Sequence, residues 1–175
     1  MRTYIALLKG INVGGNRRLP MADLKAALTD AGFADVRTIL ASGNVVLDAP
    51  ETDPASLESR LASATTSRLG VTTDYMVRDA NQWRAMIGAN PFPDAAEREP
   101  KHLLVVVMKT EVTDPKALAY LETYEGPERV AIVGREIFIY YPDGQGTSRL
   151  SIPRLGNGTA RNLNTVARLA ALLGG

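Results

Sequence analysis

The sequence predicts an α+β fold made of two ferredoxin-plait-like halves. Three observations carry that expectation. Strand-like and helix-like segments alternate as β-α-β-β-α-β over the first 78 residues, the order of the split βαβ plait. A second series, β-α-β-β-α, follows residue 100 and ends in a C-terminal amphipathic helix. Between the two, Asn90-Pro91-Phe92-Pro93 through Pro100 reads as a rigid, partly acidic connector and is the natural boundary. The expected division is thus 1–78, a connector with a short helix over 79–100, and 101–175.

Each element of the first half has its own signal. Residues 3–9 read as a strand. Pro20 opens a helix whose apolar stripe is Met21, Leu24, Ala27/Leu28 and Ala31, with Gly32 as its stop. Val36–Leu40 and Val45–Leu47 are two strands, and Ser42-Gly43-Asn44 between them leaves room only for a tight hairpin. Asp53-Pro54 is a capping carboxylate followed by proline at the first helical position. The helix it starts carries Leu57, Leu61 and Ala64 and stops at Gly70, and Val71–Arg78 is the fourth strand.

The second half echoes this order. Asp79 can cap a short helix in which Trp83, Met86 and Ile87 form core, not a stacking platform. His102–Met108 is a continuous apolar run, as expected of a strand buried on both faces. Asp114-Pro115 repeats the helix-start signal, and Arg129–Val133 with Glu136–Tyr140 make a hairpin around Gly134-Arg135. A short helix from about Ser148 and a final helix from about Thr159 close the series without a clear last strand. No residue-level repeat stands out, so the duplication rests on element order.

Composition excludes more than it assigns. The 175 residues are 45% hydrophobic and 22% charged, ordinary for a globular chain. The lack of cysteine excludes disulfides, thiolate zinc sites and cysteine nucleophiles, and one histidine makes a transition-metal site improbable. No cofactor or metal is expected. A signal peptide is not expected at Met1-Arg2-Thr3-Tyr4, and Leu103–Met108, the longest apolar run, is far too short to span a bilayer. These features describe a cytoplasmic protein with no membrane partner. Charge is uneven. Residues 1–47 hold six Lys/Arg against three acids, 48–143 ten against sixteen, and 144–175 four arginines and no acid.

Two segments carry chemistry. Between the first strand and helix, Lys9, Gly10, Asn12, Gly14, Gly15, Asn16, Arg17 and Arg18 make a loop of open backbone N–H groups and cations, suited to an anion. Its glycine spacing matches neither the P-loop nor the dinucleotide fingerprint. In a plait so long a crossover is unusual. Near the other end, a helix from Thr159 would place Leu163, Val166, Ala167, Ala170 and Leu173 on one arc and Arg161, Asn164, Thr165 and Arg168 on the other. Thr159 could be its N-cap. The same pattern also reads as a plain amphipathic cover. Ser42 lacks a positioned base, His102 reads as structural, and Asp94, Glu97 and Glu99 read as a solvated patch. No aromatic run supports base stacking on the sheet.

The strings Tyr4-Ile5-Ala6-Leu7-Leu8-Lys9-Gly10-Ile11-Asn12-Val13-Gly14-Gly15, Pro20-Met21-Ala22-Asp23-Leu24, Ser42-Gly43-Asn44-Val45-Val46 and Thr159-Ala160-Arg161-Asn162-Leu163-Asn164-Thr165-Val166 resemble those of bacterial domain-of-unknown-function family 1697. The resemblance spans the whole chain. It implies a duplicated α+β fold related to the ferredoxin plait and transfers no catalytic residues. Lys9 stands where that pattern has arginine, which keeps the charge and gives up bidentate geometry.

The functional expectation is a binder of a phosphate-bearing ligand, either a small molecule such as a nucleotide or a nucleic-acid backbone. Lys9, Asn12, Gly14, Gly15, Asn16, Arg17, Arg161 and Asn164 are its ligand-binding residues. The sharpest form of the expectation brings the loop and Arg161 into one shared site. An enzyme acting on such a ligand, or a structural or protein-interaction module, are the alternatives.

Overall fold

The computed structural model describes residues 1–15 and 17–174. The chain divides into two compact units, Met1–Arg84 with Leu169–Gly175, and Ala85–Arg168. In the first unit the elements run β1 (Arg2–Leu8), α1 (Met21–Asp30), β2 (Ala34–Ile39), β3 (Asn44–Ala49), α2 (Pro54–Leu69) and β4 (Tyr75–Asp79). The sheet order is β2-β3-β1-β4 and every pair is antiparallel, which is the plait the sequence predicts.

Strand alternation explains the core. Tyr4, Ala6 and Leu8 of β1 share one cluster with Leu24 and Leu28 of α1 and Leu57 and Leu61 of α2. Ile5 and Leu7, on the other face, are buried as well, so β1 reads as a nearly unbroken apolar run. The helix ends follow their signals. Asp53 accepts from Ser56 N at 2.9 Å with Pro54 just inside α2, and Gly70 closes it in the left-handed region at φ 66°. Strand β4 begins later than Val71. Thr73 Oγ1 donates to Lys9 O (2.7 Å) and Lys9 N to Asp74 O (3.0 Å), which ties residues 73–74 to the loop after β1. Buried Glu58 of α2 accepts from Val77 N at 3.0 Å, satisfying a donor of the edge strand β4.

Helix α3 (Ala80–Gly88) starts at Asp79. Asp79 Oδ1 accepts from Gln82 N (2.8 Å), while Gln82 Oε1 accepts from Asp79 N (2.9 Å), a reciprocal cap. Trp83 and Met86 of α3 are buried, as expected of core, while Ile87 is half-buried. The connector is not bare coil. It holds α4 (Pro93–Arg98) and a 3₁₀ turn at Pro100–His102. Asp94 of α4 accepts from Arg129 (3.0 Å) and from Arg98 (3.3 Å), so it is paired where the sequence suggests a solvated patch.

The second unit continues with β5 (Leu103–Met108), α5 (Pro115–Thr123), β6 (Arg129–Val133), β7 (Glu136–Tyr140), a 3₁₀ turn (Ile152–Leu155) and β8 (Gly158–Asn162), and α6 (Leu163–Ala171) begins in it and from Leu169 on belongs to the first unit. Its sheet order is β6-β7-β5-β8, the plait order again. Leu104, Val106 and Met108 pack with Ile137, Ile139, Tyr141 and Leu155. Three details differ from expectation, the first being that the short helix expected from about Ser148 is the 3₁₀ turn at Ile152–Leu155. The last strand is present as β8, and the final helix starts after it. Strand β5 is buried along its whole length and pairs with β7 on one edge, so its other edge needs a ladder partner, and residues 158–162 supply one. No helix among the described residues is long and apolar enough to cross a membrane.

Candidate functional site

The segment from Lys9 to Pro20 joins β1 to α1 and leans on the β2–β3 turn. Leu8 N donates to Gly43 O at 2.9 Å. Gly43 is forced by close approach, since a Cβ there would lie 2.7 Å from Ile11 Cδ1 and its φ is 89°. Asn12 is the strut of the loop. Its Nδ2 donates to Leu19 O (2.8 Å) and to Ala41 O (2.7 Å), and its Oδ1 accepts from Leu19 N (2.7 Å). Its backbone N donates to Arg17 O at 3.0 Å. The Asn12 amide is therefore committed to holding the loop shut, a scaffolding contribution to a site that the sequence assigns it as a ligand contact.

What the strut holds is a short basic rim. Gly10, Asn12, Gly14, Gly15 and Arg17 all lie in the left-handed region, so the chain turns sharply several times. A Cβ on Gly14 or Gly15 would meet nothing within 4 Å, so this stretch of backbone is open to solvent. Arg17 and Arg18 are exposed and form no ion pair with the described residues, and a Cβ on Gly10 would come within 4.0 Å of Arg17 Nη1, so the guanidinium curls back over the loop. Beside them lies a cleft of about 470 Å³ lined by Asn12, Gly15, Arg18, Leu19, Met21 and Ala41. Lys9 is half-buried at the start of the loop. Asn16 lies outside the described residues.

Arg161 and Asn164 belong to the second unit and are placed differently from expectation. Arg161 is not on an outward helical face. It sits on β8 opposite Val105, 7% exposed, with Nη1 donating to Thr159 Oγ1 (2.7 Å) and Ala160 O (2.9 Å). Burial lowers its pKa to about 10. The N-cap of α6 is Asn162, whose Oδ1 accepts from Thr165 N at 3.0 Å, and not Thr159. The helix is turned accordingly. Thr165, Val166, Leu169 and Leu173 are buried, while Asn164, Ala167 and Arg168 are exposed. His102 ends a 3₁₀ turn, with Nδ1 2.8 Å from Glu99 Oε2. Among the described residues no group of His, Cys, Asp and Glu has the arrangement to hold a metal ion.

One cluster escaped the sequence reading. Ser148 Oγ donates to Glu128 Oε1, and Tyr124 OH donates to Glu128 Oε2 at 2.8 Å. Burial works against the Glu128 carboxylate, yet the hydrogen bonds from Ser148, its own backbone and Tyr124 outweigh it and hold the group below the usual range. These residues and Tyr141 line a cavity of about 290 Å³. The signal was available in Tyr124-Glu125-Gly126-Pro127-Glu128 and Pro142-Asp143-Gly144, two turn-rich strings that flank the β6–β7 hairpin.

Two antiparallel plaits of the α+β class, with a glycine- and cation-rich crossover in the first, define the kind of protein this is. The chain belongs to the family described as Protein of unknown function (DUF1697), whose model matches residues 1–138. A solved structure, that of the conserved bacterial protein SP0830 from Streptococcus pneumoniae, is similar over 99% of each chain, with a TM-score of 0.80 and 20% identity. At that identity the likeness speaks for the fold alone. No curated protein matches the chain.

Proposed function

We propose that the β1–α1 loop binds the phosphate group of a nucleotide or of a nucleic-acid backbone. One observation carries the reading. Arg17 and Arg18 stand exposed, without a carboxylate partner among the described residues, beside open backbone at Gly14 and Gly15 and a cleft large enough for a small ligand. Adjacent like charges on this loop repel when the site is empty, and an anion relieves that repulsion. Asn12 braces the loop through its amide, and the Arg17 and Arg18 guanidiniums form no ion pair with the described residues.

The test is a thermal-shift series with inorganic phosphate, ADP and a short oligonucleotide at low and high salt. A ligand at about a hundred times its Kd adds roughly 2.7 kcal/mol to folding. Saturable stabilisation by ADP, lost in Arg17→Ala and Arg18→Ala, supports a nucleotide site. Stabilisation by the oligonucleotide that falls steeply with salt supports backbone contact. If none of the three raises Tm, the loop is structural and the proposal fails.

A further inference from the structure

The second unit carries a cavity that the phosphate reading does not use. It lies beyond the open end of the β6–β7 hairpin. Arg129 pairs with Tyr140 across that ladder, which sets Glu128 and Tyr141 side by side as the chain enters β6 and leaves β7. Tyr141 is 1% exposed, and its hydroxyl has no hydrogen-bond partner among the described residues. An unsatisfied buried hydroxyl costs about 1–3 kcal/mol, so its persistence calls for an occupant. Tyr141 lines the cavity, so a group held there is the candidate partner of its hydroxyl.

The surroundings specify the occupant's chemistry. Glu128 accepts from Ser148, its own backbone N–H and Tyr124, which leaves about one of a carboxylate's four lone-pair positions. Ser148 Oγ itself accepts from Leu150 N at 3.1 Å. Tyr141 O–H is left without an acceptor among the described residues, and Glu128 keeps some acceptor capacity. An alcohol hydroxyl can accept from the first and donate to the second. Glu125, Glu128 and Asp143 outnumber Arg149 around the opening, which disfavours an anion. The volume, about 290 Å³, suits a single small ring. Burial, with Glu128 and the Tyr124 and Tyr120 hydroxyls nearby, pushes the Tyr141 hydroxyl up to about 12, so it stays neutral and able to donate. Backbone is fitted closely around the pair. A Cβ on Gly126 would come within 2.5 Å of both Glu128 Oε2 and Tyr124 Oη.

We infer that this cavity binds a neutral hydroxyl-bearing molecule of single-sugar size, with Tyr141 donating to a ligand hydroxyl and Glu128 accepting from it. The site is independent of the phosphate loop.

The experiment titrates D-glucose, D-ribose and glycerol into the isotope-labelled full chain and follows backbone amide NMR shifts. Putrescine and inorganic phosphate serve as contrasting probes. Saturable shifts confined to residues 124–128 and 141–149 with at least one polyol are expected. Tyr141→Phe should weaken that binding about tenfold, the loss of one hydrogen bond. Arg17→Ala should leave it unchanged, which separates this proposal from the phosphate site. Tyr141→Phe removes a hydroxyl that has no hydrogen-bond partner among the described residues, so its Tm should equal or exceed that of the parent. Glu128→Gln provides a second variant and should also weaken polyol binding. The proposal is overturned if no polyol saturates, if Tyr141→Phe binds as well as the parent, or if putrescine or phosphate takes the cavity instead.

Discussion

The two units reach the same strand order by different connections, and the differences coincide with the two candidate sites. In the first unit the crossover from β1 to α1 takes residues 9–20, whereas from β5 to α5 it takes residues 109–114, half the length. The plait therefore does not need the longer loop, and the surplus is where Arg17 and Arg18 stand. Likewise, α2 fills the second helix position of the first unit over Pro54–Leu69, while the second unit has only the 3₁₀ turn Ile152–Leu155 there. The irregular chain preceding that turn leaves the cavity at Tyr141 and Ser148.

Where the copies agree, the agreement is structural and reaches single residues. Arg78-Asp79-Ala80-Asn81-Gln82 and Arg161-Asn162-Leu163-Asn164-Thr165 occupy the same place, each straddling the end of the fourth strand and the start of the next helix. Arg78 lies opposite Ile5 as Arg161 lies opposite Val105. Each guanidinium donates to the carbonyl just before it, Val77 O and Ala160 O, both at 2.9 Å, and each is buried. The next residue caps the helix, Asp79 accepting from Gln82 N and Asn162 from Thr165 N. The element-order duplication thus has a residue-level core.

The largest expected effect tests that agreement. Arg78→Ala and Arg161→Ala each remove a buried guanidinium, leave acceptors unpaired and open a void. Each should cost about 3 kcal/mol in urea unfolding, with the two values close to one another. A silent Arg161→Ala beside a severe Arg78→Ala would break the repeat as a shared scaffold device.

A smaller effect separates the two crossovers. Asn12→Ala loses the bonds to Leu19 and Ala41 and puts alanine at φ 53°, for an expected cost of about 2 kcal/mol. Thr113→Ala, in the short crossover of the second unit, should fall within about 0.5 kcal/mol. Equal costs would mean that the long loop has no dedicated strut.

Two buried tyrosines sharpen the contrast further. Tyr75 OH lies 2.6 Å from Thr65 Oγ1, so Tyr75→Phe should cost about 1 kcal/mol, while Tyr141→Phe should cost nothing. Burial pushes both hydroxyls up to about 12, against about 10 in the unfolded chain. The folded state then holds protons that the unfolded state releases. Their contribution is complete below pH 10 and is lost as pH rises from 10 to 12. Arg161, lowered to about 10, acts in the opposite sense over that window, so the comparison is made between variants. Stability of the Tyr75→Phe protein should fall less steeply above pH 10 than that of the parent. An unchanged slope would mean that Tyr75 ionises as freely in the fold as out of it.

Local signals made most of the fold legible. Asp53-Pro54, Asp114-Pro115, Gly70 and the apolar run at 103–108 each act within a few residues, and the elements they mark are present. Strand β8 was hidden because Thr159–Asn162 pairs with β5 across more than fifty positions, and its Arg and Asn are poor strand formers. The same non-local pairing turned Arg161 inward. The basic loop could be read from composition, but the commitment of the Asn12 amide depends on Ala41, in the β2–β3 turn. Glu128, Ser148 and Tyr141 were invisible as a cluster because only the hairpin register brings the two turn-rich strings together.

The smallest expected effect has the opposite sign from the rest. Arg17 adopts φ 48°, a region that costs a non-glycine residue on the order of 1 kcal/mol. Arg17→Gly should therefore raise the stability of the free protein by about 0.5 kcal/mol, because glycine enters this region without strain. The same substitution removes a rim cation and should reduce the thermal shift given by phosphate. Gain of stability with loss of response is the signature of a residue kept in strain for its charge. If Arg17→Gly instead lowers Tm, the guanidinium curled over Gly10 holds the loop together, and the long crossover is scaffold like its short counterpart. Arg18→Ala supplies the control, since an exposed arginine that forms no ion pair with the described residues should change free-protein stability by less than about 0.5 kcal/mol while still weakening the phosphate response.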